Sequence, residues 1–311
     1  MANTSKSSNK SIAAVKQQFK AAGVYYTGSA LAEYIKSFIP DNVTEVYDPT
    51  CGGGALLAVF ADHVRKYGQE LDEAQAQATA DNLVNCTIAA GDTLLAPAFT
   101  GKLFEAIVAN PPFSVKWSPD QVTAADERFR DAPCLLPPSK ADYAFLLHIL
   151  HTLSPTGTAA VLNFPGVLYR GQREGKIRRW LVEQNVIDRV ELIEGGYFED
   201  TGISTALIVM KKNRTEDYIT MRLHESGDER QVPISEIRTH DFTLSPSTYI
   251  VIEESKPEID PRALEAAARR NALQKIEAEI KFSKMVSEFE GWEYNDFLDD
   301  IISVVNKYRQ Q

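Results

Sequence analysis

A chain of 311 residues, 44% hydrophobic, carries enough apolar mass for one substantial core with residues left for extensions, which excludes a fibrous or disordered chain. The formal net charge of −10 argues against gripping a polyanion through a broadly basic surface. Residues 215–311 hold 20 acidic against 12 basic side chains, however, so the acidity belongs mainly to the last third.

No apolar run is long enough to span a membrane, and no apolar signal core opens the sequence. Cys51, Cys86 and Cys134 lie far apart with no Cys-x-x-Cys pair, which suggests neither a metal site nor a disulfide framework. The expected compartment is the cytoplasm. Residues 1–24 read as a polar arm followed by a short amphipathic helix over 11–22, through Ile12, Val15 and Phe19. Residues 43–47 read as a strand that enters a glycine-rich turn, and 55–66 as helical. The apolar run 104–109 is a strand that ends in Asn-Pro-Pro, 141–153 a helix, 158–164 a buried strand and 174–183 a helix. Residues 186–193 and 203–210 are two strands without room for a crossover helix between them, so they pair antiparallel.

Strands alternating with helices and closing on such a pair predict an α/β domain over residues 25–214. Its core is a doubly wound, mostly parallel, Rossmann-like sheet of about seven strands. Beyond Arg214 a polar, strand-poor segment leads to Pro257. Helical spacing follows over 262–289 (Leu273, Ile276, Ile280) and again at Phe297, Leu298, Ile301, Ile302 and Val305. Residues 215–311 are therefore expected to form a mainly helical extension that packs on the preceding domain or binds a partner.

Two segments carry chemistry. In Asp48-Pro49-Thr50-Cys51-Gly52-Gly53-Gly54 an acid and three glycines stand where the first strand turns into its helix, so backbone amides can approach a ligand. The spacing is not Gly-x-Gly-x-x-Gly and no Gly-Lys-Ser/Thr follows, which disfavours phosphate binding; taken alone, the segment is also compatible with a simple tight turn. In Asn110-Pro111-Pro112-Phe113 two prolines fix the backbone and remove two N–H donors, leaving the Asn110 side chain and the Pro111 carbonyl as acceptors. Two acceptors converging on one planar amino group, beside an aromatic face, suit an adenine amine. An ordinary Pro-Pro turn with an Asn cap would read the same way in isolation.

The two segments do not stand alone. Tyr25-Tyr26-Thr27, the Asp48 turn, Gly68-Gln69-Glu70, Gly91-Asp92-Thr93-Leu94 and the Asn110 tetrad occur in an order that resembles gamma-type N6-adenine DNA methyltransferases. The closer resemblance is to the modification subunits of type I restriction-modification systems. It continues through Asp142-Tyr143-Ala144-Phe145, residues 165–171, residues 177–181 and Thr201-Gly202-Ile203-Ser204-Thr205, and weakly through residues 235–249.

The resemblance implies a methyltransferase-type sheet that binds S-adenosyl-L-methionine. Tyr26 and Thr27 would contact its methionine end, and Asp48, Cys51, Gly52 and Gly54 would line the turn beneath it. Glu70 would accept from the ribose hydroxyls, Asp92 from the cofactor's adenine amine, and Asn110, Pro111, Pro112 and Phe113 would hold a target adenine flipped out of DNA, with Asn110 also bordering the cofactor. A basic cluster, Arg170, Arg173, Lys176, Arg178 and Arg179, is a candidate for phosphate contact, with a solvated helix face as the alternative. Implied partners are DNA, a separate specificity subunit and a restriction subunit. Three departures from the family stand out: Gly28 where proline is usual, Gly196-Tyr197-Phe198, and a long helical N-terminal domain that is largely absent. They leave as alternatives an inactive scaffold or antirestriction subunit and, through the related Asn-Pro-Pro-Tyr motif, a protein-glutamine methyltransferase.

Overall fold

The computed structural model describes residues 27–119, 126–196, 203–251, 261–291 and 293–309. The expected arm and helix of residues 1–24, Tyr25, Tyr26 and residues 197–202 lie outside them. In chain order the first unit contains α1 (Ser29–Lys36), β1 (Glu45–Asp48), α2 (Ala55–Ala58), β2 (Arg65–Glu70), α3 (Glu73–Asn82), β3 (Cys86–Ala90) and β4 (Phe104–Ala109). There follow α4 (Asp142–Thr152), β5 (Leu153–Asn163), α5 (Gln172–Glu183), β6 (Ile187–Ile193), β7 (Thr205–Lys211), β8 (Tyr218–Leu223), β9 (Glu229–Pro233) and α6 (Ile234–Thr239).

The nine strands among the described residues form one sheet in the order β3-β2-β1-β4-β5-β7-β6-β8-β9. The first five in that order run parallel. β7 lies antiparallel between β5 and β6, as the short connection between residues 193 and 203 demands. Both faces of the central strands are covered, which explains their near-continuous apolar sequences. Ile107, Ala109, Ala159 and Val161 face a core that includes Leu146, Ile149, Ile177 and Leu181 of α4 and α5. Ala106, Val108, Ala160 and Leu162 face the other, with Leu31 and Ile35 of α1 and Leu56 and Leu57 of α2.

Three expectations are corrected. The helix expected over 55–66 ends at Ala58, and the chain turns back to begin β2 at Arg65. Phe60 and Val64 are buried core residues, so their spacing imitated a longer helical stripe. Among the described residues the sheet has nine strands and not about seven, because β8 adds to β6 and β9 to β8 from the segment read as strand-poor. In β8 the buried residues Ile219, Met221 and Leu223 alternate with polar ones, a period-2 pattern that overall polarity conceals. For the same reason the structure divides at Met1–Ile252 and Glu253–Gln311 and not at Arg214. The second unit holds α7 (Pro261–Glu290) and α8 (Tyr294–Arg309), joined at Gly291, whose φ of +75° suits a glycine turn. No helix among the described residues is long and apolar enough to cross a membrane.

Candidate active site

Because β3, β2, β1 and β4 are adjacent and parallel, their carboxyl ends share one edge of the sheet. Asp92 follows β3, Glu70 ends β2, Asp48 ends β1 and Asn110 follows β4. Four acceptor side chains thus stand in a row on neighbouring strands, and three strand spacings of ~4.8 Å make the row about 14 Å long. That length matches a ligand carrying a nucleoside at one end and an amino acid at the other.

The turn after β1 is built from its glycines. Gly52 and Gly54 have φ of +51° and +78°, the left-handed region in which an L side chain is strained. A Cβ on Gly54 would stand 2.8 Å from Thr79 Cγ2, whereas one on Gly52 would meet nothing within 4 Å, so open space lies beside Gly52. Cys51 N–H donates to the Gln69 carbonyl (2.9 Å), and the buried Cys51 side chain packs on β2 so closely that Gly68 has no room for a Cβ. Burial holds the Cys51 thiol well above its usual range, which makes it a packing group rather than a nucleophile.

Glu70 spans the edge. Its Oε2 accepts from Gly52 N–H at 3.0 Å and its Oε1 from Asp72 N–H at 3.0 Å, which fixes both oxygens while leaving each a lone pair for a ligand hydroxyl. Asp48 is buried and accepts from Thr50 N–H at 2.9 Å. Burial pushes its carboxyl up to about 7, against the Thr50 hydrogen bond and reinforced by the Glu70 charge. Asp92 Oδ1 accepts from Leu94 N–H (2.8 Å) and Leu95 N–H (3.2 Å), and Thr93 Oγ1 ties this loop to the Pro49 carbonyl.

At the fourth strand Asn110 Nδ2 donates to Thr27 Oγ1 at 3.1 Å. This bond engages the amide nitrogen and leaves Oδ1 as the acceptor for a ligand. Thr27 is thereby joined to the tetrad through Asn110, while Tyr26 lies outside the described residues. Gly28 has φ of −68°, the value a proline ring would impose, so the entry to α1 keeps its path without proline.

The backbone after Phe113 is held under tension: Ser114 has φ of +53°, unusual for a residue with a side chain. Buried Asp142 accepts from Ser114 N–H (2.9 Å), and Arg170 Nη2 donates to Ser114 Oγ (3.1 Å).

These contacts reassign part of the basic cluster. Arg170 is engaged internally by Asp142, Glu174 and Ser114. Arg178 is buried and donates to the carbonyls of Phe242 (2.7 Å), Arg170 (2.7 Å) and Val167 (3.3 Å). Both are engaged internally: Arg170, just before α5, by two carboxylates and a hydroxyl, and Arg178, on the buried face of α5, by loop carbonyls. Arg179 pairs with Glu183 at 2.9 Å, and Arg173 and Lys176 are exposed, so those three keep access to a phosphate. Arg178→Met is expected to lower unfolding free energy by about 3 kcal/mol or more, since three carbonyls, two of them in buried contacts, would lose a charged donor. Chemical denaturation measures it, and a parental midpoint would contradict the structural role.

The family model described as N-6 DNA Methylase matches residues 12–230. A type I restriction enzyme methylase subunit from Mycoplasma pneumoniae is 30% identical, over 79% of this chain and 56% of its own length. The HindI methylase subunit of Haemophilus influenzae is 24% identical, over 84% of this chain and 73% of its own. Among solved structures, a type I restriction-modification methyltransferase subunit from Streptococcus thermophilus superposes with a TM-score of 0.64 at 28% identity, covering 71% of this chain and 58% of that one. The chain spans about half the length of several of the curated relatives it matches. With the row of acceptors on β3, β2, β1 and β4 and the Asn-Pro-Pro-Phe tetrad at its end, this similarity establishes that the chain belongs to the N-6 DNA methylase family.

Proposed function

We propose that this chain transfers a methyl group from S-adenosylmethionine to the N6 amine of adenine in DNA, as the modification subunit of a type I-like restriction-modification assembly. The observation that carries the reading is Asn110, whose Nδ2 is engaged by Thr27 so that Oδ1 is left as the acceptor, at the end of the sheet edge where Asp48, Glu70 and Asp92 also stand. The donor set fits the cofactor: a carboxylate with spare lone pairs for the ribose diol, an acid for the adenine amine, and open space above a glycine turn. When bound, the cofactor supplies an electrophilic methyl group on a sulfonium.

The protein's own part is positioning and electrostatics. Asn110 Oδ1 and the Pro111 carbonyl accept from the two amine hydrogens, which keeps the nitrogen lone pair out of the ring and aims it for in-line attack. Phe113 offers its ring to the extruded base, whose amine is out of reach while stacked and paired. Arg173, Lys176 and Arg179 are the proposed phosphate contacts. The helices of the second unit expose Leu273, Ile276, Phe282, Met285, Ile302 and Val305, and we assign these apolar helices to docking the specificity subunit.

Two measurements test the proposal. Purified chain alone is expected to methylate duplex DNA slowly and without a short consensus, and to acquire one on addition of the specificity subunit, read by sequencing modified bases. Efficient modification of a single motif by the chain alone would refute the partner requirement, and no N6-methyladenine under either condition would refute the activity. The second follows from Asp48. Its folded pKa lies above that of an unfolded carboxylate, about 3.9, so its contribution to folding is full below about pH 4 and is lost as pH rises through about 7. A cationic ligand favours the ionised form, so cofactor affinity is expected to weaken as pH falls below about 7, by up to about tenfold per pH unit. Calorimetry at several pH values checks this, and Asp48→Asn should flatten the profile.

A further inference from the structure

Arg128 lies in the segment between the tetrad and α4, which closes on itself through Ala141 N–H to the Val115 carbonyl (2.9 Å) and Trp117 N–H to the Pro138 carbonyl (3.1 Å). Its side chain is only 7% exposed, yet it reaches across to the loop after β3. Arg128 Nη1 donates to the Thr93 carbonyl at 2.8 Å and Nη2 to the Leu94 carbonyl at 2.6 Å. Asp126 holds the guanidinium in this pose, accepting from Nε at 3.0 Å and from Nη2 at 2.7 Å. His148 Nδ1 stands 3.3 Å from Nη1; burial and the neighbouring Arg128 charge push that imidazole down to about 3, so it faces the cation as a neutral ring.

The two carbonyls belong to the same peptide units whose N–H groups hold Asp92. Peptide 93–94 accepts from Arg128 through its C=O and donates to Asp92 Oδ1 through Leu94 N–H. Peptide 94–95 does the same through Leu95 N–H. A cation at one end of two aligned peptide dipoles and a carboxylate at the other polarise both bonds in the same sense.

We propose that Arg128 is a positioning residue for Asp92, acting through these two peptide units, so that recognition of the ligand's adenine amine depends on the loop that leaves the target-base tetrad. This inference rests on the reading of Asp92 as the adenine acceptor. It gives a reason for burying a charged side chain against two backbone carbonyls here.

The test compares two ligands that differ at one group: S-adenosylhomocysteine, which carries the exocyclic amine, and S-inosylhomocysteine, which cannot donate there. Calorimetry on the parental chain is expected to favour the adenosyl ligand by about tenfold or more, as for a hydrogen bond to a charged acceptor. In Arg128→Met that preference is expected to fall to about a third or less, while inosyl affinity changes by less than about twofold, because only the amine contact is mispositioned. Should that variant melt at the assay temperature, Asp126→Asn provides the second measurement: it leaves the arginine in place but removes the carboxylate that orients it, and the same fall is expected. Loss of affinity for both ligands by one common factor, or an unchanged ratio in a folded variant, overturns the proposal. A parental chain that binds the adenosyl ligand without preferring it over the inosyl one overturns the Asp92 reading instead, and the inference with it; one that binds neither overturns the cofactor reading.

Discussion

Replacement of Asn110 by alanine is expected to lower methyl transfer by about a hundredfold or more while cofactor affinity stays within about twofold. The asymmetry follows from where Asn110 stands. It occupies the far end of the row from Asp92 and Glu70, with its amide nitrogen engaged by Thr27 and its oxygen left for the target amine. Removing that oxygen takes away one of two acceptors that act on the nitrogen as it becomes a nucleophile, without touching the carboxylates assigned to the cofactor. Single-turnover methylation together with calorimetry separates the two effects. A variant that keeps the parental rate would remove the proposed mechanism, and a parallel loss of cofactor affinity would relocate Asn110 to the cofactor site.

Gly52→Asp is expected to weaken S-adenosylmethionine binding by about a hundredfold or more. Because a Cβ at Gly52 meets no atom within 4 Å, the fold has room for the side chain, and the cost to folding is the left-handed backbone strain of ~1–2 kcal/mol. The same open space is the one assigned to the ligand. An added carboxylate would fill it and stand close to Glu70 Oε2, which Gly52 N–H already holds at 3.0 Å. Overpacking against a bound ligand at ~1–3 kcal/mol, together with displacement of Glu70 by like-charge repulsion, reaches the ~3 kcal/mol that a hundredfold requires. Gly52→Ala carries the backbone strain without the charge and should lose much less. Calorimetry on both variants, with melting curves as control, decides the point; parental affinity in Gly52→Asp would mean that the turn does not approach the cofactor.

The parallel core and the row of acceptors were legible from local sequence. Strands such as 104–109 are short, apolar and bounded by turn residues, and each acceptor is the last residue of its strand or lies within two residues after it. Local order along the chain therefore suffices to put Asp48 and Asn110 on one edge once the strands are parallel. The antiparallel pair over residues 187–211 was legible for a similar reason, since a short connection permits no other direction.

Tertiary structure alone decided what depends on partners far apart in the chain. β8 joined the sheet because three buried residues alternate with polar ones opposite β6, a pattern that polarity hides until a neighbouring strand is known. Arg170 and Arg178 looked like a basic surface because charge is visible in a sequence and burial is not; their acceptors on Asp142, Val167 and Phe242 come from separate segments. Arg128 gave no signal at all. Its role lies in the carbonyls of Thr93 and Leu94, 35 and 34 residues away, and backbone acceptors leave no imprint on sequence because every residue carries one.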